Sequence, residues 1–224
     1  VMCLEFTSKS NAIGEGIGRA MDEVVRIAEE GNWKGIVIGN NGKQFSVGAN
    51  LMNVGMLAMQ KQFEPLGQMI DDFQQINMRI RTSKIPVVVA TQGYVFGGGC
   101  EIAMHCDAGI YAAESYIGLV EVGVGLLPGG GGTKEFAVRA SDEFFEGDVQ
   151  SPTLIKYFKT IATAAVSTSA YEAYDLNYLK EGRDFVSVNT PMNIGLAKDK
   201  VLQLSKNYMP PSVREDIEVL GRGG

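Results

Sequence analysis

Two glycine clusters and two glutamates are the residues whose types and spacing could support chemistry in this sequence. The triplet Gly97-Gly98-Gly99 stands at the start of a segment with helical character that contains Glu101. Glycines at a helix start leave backbone N–H groups open and direct the positive end of the helix dipole at a bound group. Such donors suit a developing oxyanion, and losing one typically costs about 3–4 kcal/mol. The alternative is that the triplet only permits close helix–strand packing.

The second glutamate, Glu121, lies in an otherwise uncharged stretch, residues 117–132, which ends in a run of four glycines. A carboxyl group in that setting is either exposed at a loop tip or held in an apolar cleft where its pKa is raised. For Glu101, the position in the first helical turn predicts that the dipole favours the charged form. Two carboxyl groups around one oxyanion site would supply a general acid and a general base.

The elements that must position these residues are short apolar runs alternating with amphipathic patterns. The runs predict buried strands near residues 1–7, 35–39, 86–90 and 109–112. The amphipathic patterns predict helices near residues 14–30, after Pro65, after residue 98, from 133, and at 152–163 and 191–207. Ser151-Pro152 and Thr190-Pro191 each indicate a helix N-cap followed by proline. The alternation predicts an α/β fold in which helices dominate the last third.

The composition of the 224 residues excludes several classes of function. A net charge of −6 argues against nucleic-acid and anionic-membrane partners, which need clustered Lys and Arg. No apolar run approaches the roughly 18 residues of a membrane span, and the first residues lack the zones of a secretory signal. Three cysteines and one histidine, His105, argue against a disulfide framework, a metal site and a Ser-His-Asp triad. We therefore expect a cytoplasmic protein without a metal.

Three separated motifs, in this order, resemble those of the crotonase superfamily and, within it, enoyl-CoA hydratase. They are Phe45-Ser46-Val47-Gly48-Ala49-Asn50-Leu51, Gly97-Gly98-Gly99-Cys100-Glu101 and Pro128-Gly129-Gly130-Gly131-Gly132-Thr133. Residues 4–13 are similar to the hydratase part of bacterial multifunctional proteins that join it to a 3-hydroxyacyl-CoA dehydrogenase. Residues 165–173 resemble the helix that precedes the family's last strand.

The likeness implies a crotonase-like (ClpP/crotonase) fold in three parts. Residues 1–150 would form a core of repeated ββα units arranged as a spiral. A helical C-terminal region at 151–209 would mediate oligomerisation. Residues 210–224 are polar and carry no packing signal, and we expect them to be a truncated tail.

The resemblance also implies roles for individual residues. The backbone N–H groups of Ala49 and Gly98 would form the oxyanion hole for the thioester carbonyl. Glu101 would activate water, and Glu121 would deliver a proton to the α-carbon. The remaining substrate-binding positions would be Ala12, Val47, Asn50, Leu51, Gly97 and Gly129. No cofactor is implied, because coenzyme A is part of the substrate.

Contacts to the phosphates of coenzyme A have no clear counterpart, because the basic residue that the family often has near Met52 is absent. Lys9 and Lys43 are candidates, although a solvated surface position is the expected role of both.

The activity implied by the resemblance is hydration of trans-2-enoyl-CoA to 3-hydroxyacyl-CoA, as in fatty-acid β-oxidation. Two alternatives stay open: a 3,2-enoyl-CoA isomerase, in which one carboxylate shuttles a proton, and a truncated domain that binds acyl-CoA without turnover. The implied partners are an acyl-CoA thioester, copies of the chain in a homotrimer or hexamer, and a dehydrogenase domain in a longer protein.

Overall fold

The computed structural model describes residues 1–223 and is organised around a five-stranded parallel sheet. The strands lie side by side in chain order: β1 (Met2–Leu4), β2 (Ile36–Ile38), β3 (Val87–Phe96), β4 (Ala108–Gly118) and β5 (Asp184–Ser187). The whole of β2 and the first half of β3 are buried on both faces. Strands with continuous Val and Ile are typical of a parallel sheet that is covered by helices on both sides.

Eight α-helices accompany the sheet in the described residues. They are α1 (Glu15–Glu30), α2 (Leu51–Met59), α3 (Phe63–Arg81), α4 (Gly98–His105), α5 (Gly132–Asp142), α6 (Ser151–Ala162), α7 (Glu172–Asp175) and α8 (Asn193–Leu204). None of the helices in residues 1–223 is long and apolar enough to cross a membrane.

The two faces of the sheet pack against different helices because side chains alternate along each strand. Val37 and Val88 point to the face covered by α8, where they meet Ala197 and Val201. Their neighbours along the strands belong to the larger core on the opposite face, which includes residues of α1, α3, α4 and α5. The predicted α/β class is thus confirmed, and the mainly helical C-terminal region also adds β5 to the sheet.

Three isolated bridges form a second layer of strand contacts beside the sheet. Ser46 pairs with Val95 of β3, Ile13 pairs in parallel with Ala49, and Gly118 pairs with Val166. The strands β3 and β4 are longer than predicted, because after a bulge near Gly93 they continue to pair through residues 93–96 and 115–118. The glycine clusters lie at this second layer.

Several local predictions were wrong at helix starts. The helix expected after Pro65 begins at Phe63, and the unpatterned segment before it forms α2. Ser151 lies inside α6, and the N-cap residue, Gln150, makes no side-chain cap hydrogen bond. Likewise Thr190 lies inside a short 3-10 turn that precedes α8. In both places the predicted cap residue is itself the first residue of the helical segment, so its hydroxyl does not cap.

Two further expectations for the last third are corrected. Residues 165–173 are not a continuous helix, because Val166 pairs with β4 and α7 begins only at Glu172. The tail has packing partners: the Ser141 hydroxyl accepts from the Glu218 amide at 2.8 Å, and Arg214 pairs with Asp142. Two apolar residues of the tail, 219 and 220, also line a small cavity with α5 residues. They were overlooked because their surroundings are polar.

Gly93 and Gly67 test whether backbone conformation at the bulge matters for stability. Gly93 has φ +56°, and an added methyl group would overlap the carbonyl oxygen of Lys43. We expect Gly93→Ala to lower the free energy of unfolding by about 2 kcal/mol or more. Gly67 lies in α3 with open space around it, so Gly67→Ala should raise it by about 0.5–1 kcal/mol. Urea unfolding followed by circular dichroism measures both, and similar changes in the two variants would contradict this account.

Candidate active site

The loop 45–50 lies directly against the turn between β3 and α4. Its backbone continues the sheet locally, since the Ser46 amide donates to Tyr94 O at 3.0 Å and the Phe96 amide donates to Ser46 O at 3.1 Å. At Gly48 the approach is so close that an added methyl group would lie 2.9 Å from Phe96 O and 3.4 Å from Gly98 N. Gly48 also has φ +91°. A glycine is therefore required here to bring Ala49 beside the start of α4.

The backbone amides of Ala49 and Gly98 are both open. On one side of Ala49, the Ile13 amide donates to Gly48 O at 2.8 Å and the Asn50 amide donates to Ile13 O at 2.9 Å. This parallel pairing turns the Ala49 amide away from Ile13. Gly98 is the first residue of α4, where an amide has no partner within the helix. Neither amide meets an acceptor within residues 1–223, so both donors are available to another acceptor.

Glu101 lies in the first turn of α4 and is 2% exposed. Its Oε1 accepts a hydrogen bond from the Gly132 amide at 2.8 Å, and a methyl group at Gly130 would lie 2.5 Å from Oε2. Burial, with a smaller effect from the charge of Glu121, raises the pKa of Glu101 to about 8. The sequence indicated only the effect of the dipole, which favours the charged form; the cost of burying the charge acts in the opposite direction and is the larger effect.

Glu121 begins a 3-10 turn, Glu121–Val124, directly after β4. A methyl group at Gly97 would lie 2.8 Å from Glu121 Oε1. The other carboxyl oxygen, Oε2, is buried and has no hydrogen-bond partner among the described residues. Burial raises the pKa of this carboxyl as well. Of the two environments considered from the sequence, the one that buries the carboxyl group and raises its pKa therefore describes Glu121.

The two glutamates thus lie on either side of the start of α4. Glu121 touches Gly97, and Glu101 is held at the glycine run that leads into α5. Because both pKa values are raised, the pair keeps a proton under conditions where isolated carboxyl groups are fully ionised. Two carboxyl groups whose pKa values are raised in this way can give and accept protons near neutral pH.

Helix α3 contributes three residues that sequence reasoning did not place in the site. Gln74 Nε2 donates to Gly129 O at 2.6 Å, and Asn77 Nδ2 donates to Gly130 O at 2.8 Å. The Phe73 ring packs on Gly130. A methyl group added at Gly98 would lie 3.2 Å from the same ring. Asn77 offered a signal, because a polar residue within an apolar helical stripe indicates a specific buried partner.

Six of the predicted site residues lie at this helix start or at the glycine run that faces it, and four others lie in or next to the loop 45–50. The first group is Ala49, Gly97, Gly98, Glu101, Glu121 and Gly129. The second group is Ala12, Val47, Asn50 and Leu51. Ala12 is half-buried and precedes the residue that bridges to Ala49.

Asn50 has a structural bond that the sequence did not reveal. Its side chain caps α2, because Oδ1 accepts from the Met52 amide at 3.1 Å. Leu51 begins α2 and is 48% exposed. The helix has no buried residue, so it presents an apolar surface next to the open amides. Lys9 and Lys43 are both exposed.

Comparison with known proteins places this geometry in a family. A family model described as "Enoyl-CoA hydratase/isomerase" matches residues 1–145. The chain is 42% identical over all 224 residues to a Bacillus subtilis (strain 168) protein named probable 3-hydroxyacyl-CoA dehydrogenase, and covers 28% of it. It is 39% identical over 101 residues to the crotonyl-CoA hydratase of Syntrophomonas wolfei, with 44% of this chain and 36% of that protein covered. The chain therefore spans about a third or less of either relative.

A solved structure with the same fold is an enoyl-CoA hydratase from Polaromonas sp. JS666. Its TM-score is 0.73 at 24% identity, over 91% of this chain and 73% of that chain. This confirms the predicted crotonase-like fold. Because the family model also matches well over half of the chain, the chain belongs to the enoyl-CoA hydratase/isomerase family, as its three motifs predicted.

Proposed function

We propose that this chain hydrates trans-2-enoyl-CoA thioesters to 3-hydroxyacyl-CoA. The observation that carries the proposal is the presence of two buried carboxyl groups, Glu101 and Glu121, on either side of a helix start with an open amide. The family includes both hydratases and isomerases. Addition of water needs one group that removes a proton and another that supplies one, whereas an isomerase needs a single proton carrier. Two glutamates therefore favour hydration.

The open amides of Ala49 and Gly98 supply the electrophilic part of the reaction. The thioester carbonyl oxygen accepts hydrogen bonds from both, and this polarises the conjugated alkene so that its β-carbon becomes electrophilic. As water adds, negative charge collects on the carbonyl oxygen. Fixed amide donors stabilise that charge more than they stabilise the neutral ground state, and this difference accelerates the reaction.

The two glutamates supply the proton transfers. Glu101 removes a proton from water as the oxygen bonds to the β-carbon, and Glu121 donates a proton to the α-carbon. One proton is taken up and one is released, so the pair ends each cycle with its total proton count unchanged. Burial raises the pKa of Glu101 to about 8, so in the free site at neutral pH this carboxyl holds a proton. The reactive form is then the arrangement in which the proton resides on Glu121.

Substitution of each glutamate tests these roles. We expect Glu101→Gln and Glu121→Gln each to lower kcat by about 10²–10⁴, because each removes a general acid or base. Loss of enoyl absorbance, measured with C4 to C16 enoyl-CoA substrates, gives the rates and the chain-length preference. Glu146→Gln, at an exposed position, is the matched control and should retain the full rate. Unchanged rates in either site variant would refute the proposal.

The isomerase alternative has a distinct outcome in the same experiment. Conversion of a 3-enoyl-CoA to a 2-enoyl-CoA, abolished in only one of the two variants and without net hydration, would identify an isomerase. Binding of acyl-CoA without turnover in the folded wild-type chain would identify a binding domain.

The shared proton predicts a bell-shaped dependence of kcat/KM on pH. Activity requires exactly one proton on the glutamate pair, so it should fall at low pH, where both carboxyl groups are protonated. It should fall again above about pH 8, where burial no longer retains the proton on Glu101. In Glu101→Gln the residual activity should lose the acid limb, because no base at that position is left to be protonated, and the fall at high pH should now follow Glu121. Rates that keep rising from pH 8 to pH 10 in the wild-type chain would contradict the shared-proton model.

The relatives support a proposal about the longer protein. A Bacillus subtilis relative is named a probable 3-hydroxyacyl-CoA dehydrogenase, and such an enzyme acts on the product of the hydration proposed here. We infer that the chain serves as the hydratase part of such a polypeptide. Exposed apolar side chains on α6 and α8, among them Ile155, Phe158, Leu196 and Leu202, support the proposal that the C-terminal helices join copies of the chain.

A further inference from the structure

The single histidine has no role in the proposed hydration, yet it is buried one helical turn after Glu101. His105 Nδ1 lies 2.7 Å from Glu101 O, and Nε2 lies 2.9 Å from Lys134 Nζ. A carbonyl oxygen only accepts, so Nδ1 must carry the hydrogen, and an ammonium group only donates, so Nε2 must accept. His105 is therefore neutral, in agreement with a pKa that burial lowers to about 4.

Lys134 is fixed from its other side by an ion-pair network. Its Nζ donates to Glu135 Oε1 at 2.6 Å, and Glu135 Oε2 accepts from Arg81 at 2.5 Å. Arg81 in turn donates to Met104 O at 2.7 Å. The Glu135 side chain is only 6% exposed, so these charge-assisted bonds lie mostly out of water. They connect α3, α4 and α5 behind the glycine run.

The His105 ring also supports the turn that holds the Glu101 carboxyl group. Gly131 has φ +107°, and a methyl group there would lie 3.0 Å from His105 Cε1. The next amide, from Gly132, is the one that donates to Glu101 Oε1 at 2.8 Å. One imidazole therefore contacts the backbone of Glu101, the turn beside it and the lysine that follows the turn.

We propose that His105 and Lys134 are positioning residues that hold the turn 130–132 against α4 and keep the Gly132 amide hydrogen-bonded to Glu101. The effect of this contact on catalysis rests on the proposed function. The contact between the turn and Glu101 does not depend on that proposal. If the turn moves away, the ionised carboxyl group loses a donor. The other groups that act on this carboxyl are the charge of Glu121, which disfavours ionisation, and the Gly130 amide, which belongs to the same turn and would move with it.

Lys134→Met tests the proposal, because it removes the ammonium group and keeps an unbranched side chain. The amide of Gly132 should exchange with deuterium about tenfold or more faster, since its hydrogen bond opens more often. In the hydration assay kcat should fall about tenfold with KM within about twofold. The alkaline limb of the pH profile should move up by about half a unit or more, because loss of a donor favours the neutral carboxyl.

Two matched variants complete the experiment. Lys198→Met, at an exposed position of α8, should leave all three readouts unchanged, and Lys134→Arg should restore part of each, because it keeps a charged donor. His105→Phe keeps a ring against Gly131 and removes both hydrogen bonds, so it should resemble Lys134→Met. If His105→Phe does not fold, Lys134→Met decides alone, because the lysine side chain is 39% exposed and its loss is tolerable.

The outcomes separate this inference from the proposed function. A folded Lys134→Met chain with unchanged Gly132 exchange overturns the positioning role, even if activity falls. Faster exchange in a chain whose wild-type form hydrates no enoyl-CoA refutes the proposed function and supports the positioning role. Faster exchange with an unchanged pH profile also overturns the proposal, because the turn would then not act on Glu101.

Discussion

The site depends on the close approach of two backbone segments, the loop 45–50 and the turn from β3 into α4. Gly48 permits the approach, because any side chain there would press against Phe96 O and Gly98 N. The paired strand contacts on either side hold the loop in register. Two amides that belong to different segments are thereby left open next to each other. Because these donors are backbone groups, the sheet and helix positions, rather than side-chain rotamers, determine their geometry.

Burial around these amides determines the charge state of the acidic residues. Glu101 loses water almost completely, and the donors that replace it are amides of the glycine run that leads into α5. Those amides can approach the carboxyl only because glycines lack side chains, as the contact between Gly130 and Glu101 illustrates. α3 holds the same run from the other side through Gln74 and Asn77. Packing of three helices therefore acts on the proton affinity of one carboxyl group.

The sequence allowed the fold class and the family to be predicted, and it singled out most of the residues proposed for the site, because these depend on local patterns. Glycine runs and isolated carboxyl groups are visible as residue types, and strands such as β2 are visible as apolar runs. The helix α2 was not predicted, because none of its residues is buried and it has no periodic apolar face. The contributions of Phe73 and Asn77 depend on where α3 crosses the glycine run, which periodicity does not encode. The raised pKa of Glu101 was not predicted for a similar reason, since burial arises from tertiary packing.

The order of the strands has a consequence for synthesis on the ribosome. Each strand pairs with the one made just before it, so the sheet can grow from β1 to β4 while translation continues. All the residues proposed for the reaction have emerged by Gly132. The face of the sheet that contains Val37 and Val88 is covered only when α8 arrives, more than sixty residues later. A nascent chain of this length therefore carries all the residues proposed for the reaction alongside an uncovered apolar face, which is the kind of surface that chaperones bind.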